Sequence, residues 1–271
     1  MKIQKLTVII LLFVLSGCKN SYQALLKSPN VALKYEKAVE FFQEGKFEKA
    51  QPLLEELISV TRGTAKAEDV YYYYAYTDYK LKNYQLAAYN FKNFATSFPS
   101  SKRAEEMEYM YAYALALESP NSELDQTSTL KAIEAFQLFV NKYSSSDRIQ
   151  NCNDEIDRLR KKLELKAYNN AKLFYQMEDF RAAMVAFQNT LRSFPDIEQR
   201  EEIAFLIVKS SYKLANNSIP EKEIVRYEET IRQYNDFKEE FPKSKYLKDA
   251  EKFAENAKKN ILAKNKAVLV K

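Results

Sequence analysis

Apolar residues recur along most of this chain at steps of three and four, the spacing that sets side chains on one stripe of an α-helix. The clearest stretch runs from Val70 to Pro99, VYYYYAYTDYKLKNYQLAAYNFKNFATSFP. In it Tyr84, Ala87, Phe91, Phe94 and Phe98 lead into Pro99 at offsets that return four more times. The other windows are Phe47, Ala50, Leu54 and Leu57; Thr129, Ala132, Phe136, Phe139 and Tyr143; Phe180, Ala183, Phe187, Thr190, Phe194 and Pro195; and Tyr227, Thr230, Tyr234, Phe237, Phe241 and Pro242. Proline cannot continue a helix, so it marks where each of its windows stops. A partner helix with a small residue at the crossing should precede each window. Ala38, Ala75 and Ala171 lie nine residues before their anchors, as a short turn requires, whereas Ala112 and Ser211 lie seventeen and sixteen before theirs. The extra residues fall in ESPNSELDQTS and NNSIPEKE, polar and proline-bearing, which read as loops. The pattern predicts five helical hairpins whose anchors, at 47, 84, 129, 180 and 227, stand 37, 45, 51 and 47 residues apart.

Between the third and fourth windows, 147–177 contains neither Gly nor Pro, and Ile149, Cys152, Ile156, Leu159, Leu163, Ala167, Ala171 and Phe174 keep helical spacing. One helix of about 28 residues, on the order of 40 Å long, is expected. Cys152 lies on its apolar stripe and reads as a buried core thiol. After Pro242, Leu247, Ala250, Phe253, Ala257 and Ile261 share a face, as a capping helix with a polar outer side would have them. The expected organisation is a leader at 1–17, a tether at 18–30, N-terminal repeats at 31–147, a connecting helix at 148–177, C-terminal repeats at 178–242, and a basic cap and tail at 243–271. The last segment holds nine lysines against three acids, which suits a solvated cap, an acidic partner or anionic lipid head groups.

Composition narrows the chemistry. Three glycines and seven prolines leave little material for all-β turns and none for a glycine-rich phosphate cradle. No histidine occurs, which removes the commonest general base, the His-activated nucleophiles and most zinc sites. Runs such as KAEDV and DRLRKKLELK mix both signs along helical stretches, as solvated faces do. The net charge of +5, from 42 basic and 37 acidic residues, accompanies no nucleic-acid motif. Neither enzyme activity nor a cofactor nor a metal is expected, and nucleic acid is not an expected partner.

At the start, Lys2 and Lys5 precede the apolar run Leu6–Leu15 and then Ser16-Gly17-Cys18. This is the layout of a secretory signal, too short to span a bilayer. Leu15-Ser16-Gly17-Cys18 resembles the lipobox of bacterial lipoproteins, which implies acylation of Cys18 and a mature chain beginning there. Lys19, in place of an Asp, favours the outer membrane. Cys152, the only other cysteine, is left without a disulfide partner.

Counting from each small residue, the positions three before, one after and four after share the face opposite the packing crease. They are Tyr35, Val39 and Phe42; Tyr72, Tyr76 and Tyr79; and Tyr109, Tyr113 and Ala116, six tyrosines in nine. Tyrosine joins apolar area to a hydroxyl that tolerates water, so this face suits an extended peptide with aromatic side chains, unless the rings fill the stack's own core. Tyr71 and Tyr74 fall on the crease side and should be core.

The pattern resembles the tetratricopeptide repeat, a helix–turn–helix unit of about 34 residues. That resemblance implies an all-α, right-handed superhelical stack of five hairpins. With the lipobox, EYMYAYAL opening the third repeat, the polar loop before LKAIEAF, and LRSFPD closing the fourth, residues 18–245 resemble the BamD family, outer-membrane lipoproteins of the β-barrel assembly machine. The resemblance implies a non-enzymatic, periplasm-facing scaffold. Its N-terminal repeats would engage unfolded outer-membrane proteins, here at the tyrosine face. Its C-terminal repeats would dock the periplasmic domains of the barrel subunit BamA, here around Arg192, which also suits a residue capping helix carbonyls. The tail after Tyr246 is longer and more basic than that family leads one to expect. Two other readings fit the residues: a tetratricopeptide lipoprotein assisting glycan uptake or cell-wall maintenance, and an envelope hydrolase working through carboxylates.

Overall fold

A computed structural model describes residues 22–269, and among these every regular element is a helix. A short helix at 22–26 (α1) is followed by Val31–Gln43 (α2), Phe47–Val60 (α3), Ala67–Lys80 (α4), Tyr84–Ser97 (α5), Ala104–Leu117 (α6) and Thr127–Lys142 (α7). Then come Ile149–Gln176 (α8), Phe180–Ser193 (α9), Arg200–Asn216 (α10), Pro220–Glu240 (α11) and Leu247–Leu269 (α12). Two compact units result: one holds 22–120 with Asp125–Asp157, the other Asn121–Leu124 with 158–269. The 28-residue helix α8 is shared by both.

In the first unit each helix from α2 to α7 packs against the next in chain order, and in the second α9 to α12 do the same. The small residues are where the crossings need them. Ala38, Ala75, Ala112 and Ala171 are fully buried and Ser211 almost so. From the windows, Ala50, Leu54, Leu57, Ala87, Phe91, Phe94, Ala132, Phe136, Ala183 and Phe187 are also sealed. The α2–α3, α4–α5 and α8–α9 hairpins use one turn, with a left-handed residue two places before the anchor: Gly45 (φ 73°), Lys82 (φ 63°) and Glu178 (φ 60°). In each, the amide just before the anchor reaches back five residues, Lys46 to Phe41, Asn83 to Asp78 and Asp179 to Phe174, at 2.8, 2.9 and 3.1 Å. This is how a helix C-terminus satisfies its orphan carbonyls, and it fixes the nine-residue spacing seen in the sequence.

Three expectations are corrected. NNSIPEKE is a loop only over 217–219: α10 runs to Asn216 and α11 starts at Pro220, so the rest of the added residues lengthen the two helices. Proline at the first helical position loses only an amide that would have had no partner. The tether expectation also fails in part, because 22–26 is helical and Tyr22, Leu25 and Leu26 pack on the first hairpin's core. The Tyr22 hydroxyl donates to the Lys49 carbonyl at 2.9 Å. Tyr71 and Tyr74 are half-buried rather than sealed in the core, each packed against the edge of a core cluster, Tyr71 edge-on to Phe98 at 5.7 Å. Cys152 is a free, fully buried thiol, and burial pushes it up to about 11.

A polar device missed by apolar periodicity ties the second hairpin to its neighbour. Asp78 of α4 is fully buried and accepts from Gln51 Nε2 of α3 and Asn90 Nδ2 of α5, both at 2.7 Å. Burial raises the Asp78 carboxyl, and the side-chain hydrogen bonds from Gln51, Asn90 and Asn83 pull it back part of the way. Asp78→Ala leaves buried donors without an acceptor and is expected to cost about 3 kcal/mol in urea unfolding, at the upper end for bonds to a charged group. The sign with pH follows from the raised value. The folded chain holds this proton more tightly than the unfolded one. The stability so gained is complete below the ordinary aspartate value and is lost as pH rises through the raised one. Wild type should therefore gain on Asp78→Asn as a pH series of melts is taken downward.

Candidate functional site

The sequence of α4, AEDVYYYYAYTDYK, sets Tyr72, Tyr76 and Tyr79 four and three residues apart, on one stripe. In the structure these rings form a continuous band with those of α6. Tyr72 meets Tyr76 at 4.8 Å between centroids, Tyr76 meets Tyr79 at 6.4 Å, Tyr79 meets Tyr113 at 6.5 Å, and Tyr113 stacks on Tyr109 at 6.0 Å. Phe42 joins through a residue the sequence reading left out, Tyr73, which lies 5.1 Å from Phe42 and 5.5 Å from Tyr72. Tyr35 makes no ring contact with the band but donates to Asp69 at 3.5 Å. All seven expected side chains are half-buried. The band is anchored from beneath by sealed rings, Phe91 under Tyr76 and Tyr79 at 5.1 and 6.3 Å, and Phe136 and Phe139 under Tyr109 at 6.2 and 5.9 Å.

Each hairpin of this unit adds a cation over one ring. Lys66 Nζ lies 4.8 Å from the centroid of Tyr35, the Arg103 guanidinium 4.4 Å from Tyr72, and that of Arg148 4.7 Å from Tyr109. These are cation–π distances. The same local turn delivers all three. The amides of Lys66, Arg103 and Arg148 donate to the hydroxyl oxygens of Thr64, Ser101 and Ser146 at 3.3, 3.0 and 3.1 Å. Ser101 and Ser146 in turn donate to Glu68 and Glu105, both at 2.6 Å, in the first turn of the preceding hairpin's opening helix. Arg103 also pairs with Asp69 at 2.6 Å. The signal was in the sequence: Thr64-Ala65-Lys66, Ser101-Lys102-Arg103 and Ser146-Asp147-Arg148 each follow their window anchor at the same distance.

Two of the hydroxyls are held as donors, Tyr35 to Asp69 and Tyr76 to Glu106. Burial first, then the bond it makes to Glu106, drives Tyr76 far above the ordinary phenol value. Burial likewise raises Tyr35, Tyr72, Tyr79 and Tyr109. The result is a surface of tyrosine rings edged by guanidinium, ammonium and carboxylate groups.

Arg192 stands exposed in the last turn of α9, in the second unit, where a cation faces the helix's carbonyl end. Cys18 lies outside the described residues. Among the described residues no cluster of His, Cys, Asp and Glu could hold a metal ion, and no helix is long and apolar enough to cross a membrane.

Hairpins with small residues at their crossings and aromatic windows define an all-α protein of the tetratricopeptide-like class. Residues 28–214, and again 166–270, match the family model described as YfiO, outer membrane lipoprotein, and the chain belongs to that family. A protein of Aquifex aeolicus (strain VF5) described as a candidate outer membrane protein assembly factor BamD is 26% identical over 183 residues, 65% of this chain. The match spans 58% of that relative's length. Among solved structures, the TPR2AB-domain:pHSP90 complex of yeast Sti1 is similar with a TM-score of 0.38 and 11% identity, over 84% of this chain and 98% of that one.

Proposed function

We propose that this chain is a non-catalytic scaffold for the assembly of β-barrel proteins in the outer membrane, tethered through an acylated Cys18 and facing the periplasm. The aromatic band of α2, α4 and α6, with Phe42, Tyr72, Tyr76, Tyr79, Tyr109 and Tyr113, takes extended segments of unfolded barrel chains together with Tyr35 on α2. The C-terminal repeats around Arg192 dock the periplasmic domains of a BamA-like barrel subunit. The observation that carries the reading is the uninterrupted run of half-buried rings from Phe42 to Tyr109 in a member of an outer-membrane lipoprotein family. Strands of outer-membrane barrels alternate apolar and polar side chains and carry aromatic girdles, which supplies the rings such a band would bind. In favour of Arg192, it is exposed and its replacement costs little fold stability.

The test is affinity capture of the full-length lipoprotein from detergent-solubilised membranes. A barrel subunit with periplasmic domains should co-purify, and Arg192→Glu should reduce its recovery severalfold with the melting temperature unchanged. Polysaccharide-uptake proteins recovered without any barrel subunit would replace this reading with that of a glycan-uptake accessory.

A further inference from the structure

The end of α12 is charged unlike the rest of the chain. From Asn256 to Lys271 there are five lysines and no acid, and the stretch closes Ala267-Val268-Leu269-Val270-Lys271. Two lysines of the helix are answered, Lys252 by Asp249 at 3.0 Å and Lys264 by Glu223 of α11. Lys258, Lys259 and Lys266 are exposed, and none has an ion pair among the described residues. They surround Leu262, which lies four, three and four residues from them, and so is their neighbour on the helix surface. Leu262 is itself 61% exposed. The opposite stripe is used up by packing: Ala250, Ala254 and Ala257 are buried, and Ile261 packs against the last small cluster.

α12 also overruns its partner. It lies antiparallel to α11, with Glu251 accepting from the Tyr234 hydroxyl at 3.3 Å and Lys264 meeting Glu223. α11 begins at Pro220, three residues before Glu223, while α12 continues to Leu269, five residues beyond Lys264. Lys258, Lys259, Leu262 and Lys266 are each exposed, so among the described residues no helix covers the face they share.

We infer that this face of α12, Lys258, Lys259, Leu262 and Lys266, is a membrane-surface contact that docks on anionic phospholipid. A basic helix face with an apolar residue at its centre is what rests at a head-group layer, the ammonium groups meeting phosphates while the leucine enters the acyl boundary. An acidic protein surface would answer the charges but has no need of an apolar side chain projecting between them. The family membership supplies the membrane, and each lysine near an anionic surface contributes roughly fivefold to partitioning. The contact would give an anchored chain a second hold on the bilayer, one that salt can loosen.

The experiment uses the full mature chain carrying Cys18→Ser, so that no acyl chain contributes, and vesicles of phosphatidylcholine with or without phosphatidylglycerol in a flotation assay. The chain should float with the phosphatidylglycerol vesicles, stay behind with pure phosphatidylcholine, and be released as salt is raised. Lys258→Glu with Lys259→Glu and Lys266→Glu should lower partitioning by more than about a hundredfold, and Leu262→Ser should lower it with every charge intact. Circular dichroism checks that α12 remains folded in both. Absence of binding to phosphatidylglycerol vesicles, or binding that survives the triple reversal, overturns the inference. Capture of an acidic protein by this face without vesicle binding does the same.

Discussion

Phe91→Ala should lower the unfolding free energy of the chain by roughly 3–5 kcal/mol, the range for truncating a buried aromatic. Phe91 is fully buried, and its ring takes the edges of Tyr76 and Tyr79 at 5.1 and 6.3 Å. Removing it opens a cavity bounded on one side by the core of the second hairpin and on the other by the tyrosine band itself. The surroundings cannot close it cheaply, because Ala75 and Ala87 already sit at the helix crossing with no exposed surface. Tyr89, two residues earlier on the same helix, is 63% exposed, and Tyr89→Ala should change stability by no more than about 0.5 kcal/mol. Urea titrations of both variants give the comparison, read as a shift in midpoint at constant slope. Equal losses would mean that the aromatic window is not the buried side of α5.

The hairpins were legible because their packing rests on things a sequence states openly: apolar period, small residues at crossings, prolines and glycines at ends. Ala38, Ala75, Ala112, Ala171 and Ser211 are buried as their spacing requires. What the pattern hid was polar and local. Asp78, Gln51 and Asn90 form a buried cluster across three helices, and no apolar periodicity marks a carboxylate that finds its donors at separations of 27 and 12 residues. The lengthening of α10 and α11 was hidden because proline reads as a loop signal until the helix start is known to lie upon it. Of the band, the three tyrosines of α4 and the two of α6 were readable from helical spacing. Their cations were not, because Lys66, Arg103 and Arg148 act on the preceding hairpin rather than their own. They become visible only when the three short turns are aligned. Tyr71 and Tyr74 show the limit of a two-sided picture, since a ring at the edge of a core cluster is neither inside nor outside.

Replacing Tyr79 and Tyr113 together by alanine should weaken binding of an extended, aromatic-bearing peptide from an outer-membrane barrel strand at least tenfold, or about 1.4 kcal/mol. Among the described residues their contact at 6.5 Å is what joins the rings of α4 to those of α6, so removing the pair divides one continuous surface into two short ones. Fluorescence anisotropy with a labelled peptide measures the loss, and a urea titration of the same variant separates it from unfolding. Tyr76→Phe distinguishes ring from hydroxyl. It keeps the aromatic surface and removes the donor to Glu106. If ring area holds the peptide, this variant binds within about twofold of wild type, since an internal hydrogen bond adds little once its partner can turn to water. A drop as large as the double alanine's would place recognition in the polar network instead. Because burial holds the phenols of Tyr72, Tyr76, Tyr79 and Tyr109 above their ordinary value, affinity should stay flat from about pH 6 to about pH 9, below the usual tyrosine titration near 10. With no histidine in the chain to titrate in that window, a bend in the profile would have to come from the peptide. An unchanged affinity in the double variant would remove the tyrosine band from the binding surface altogether.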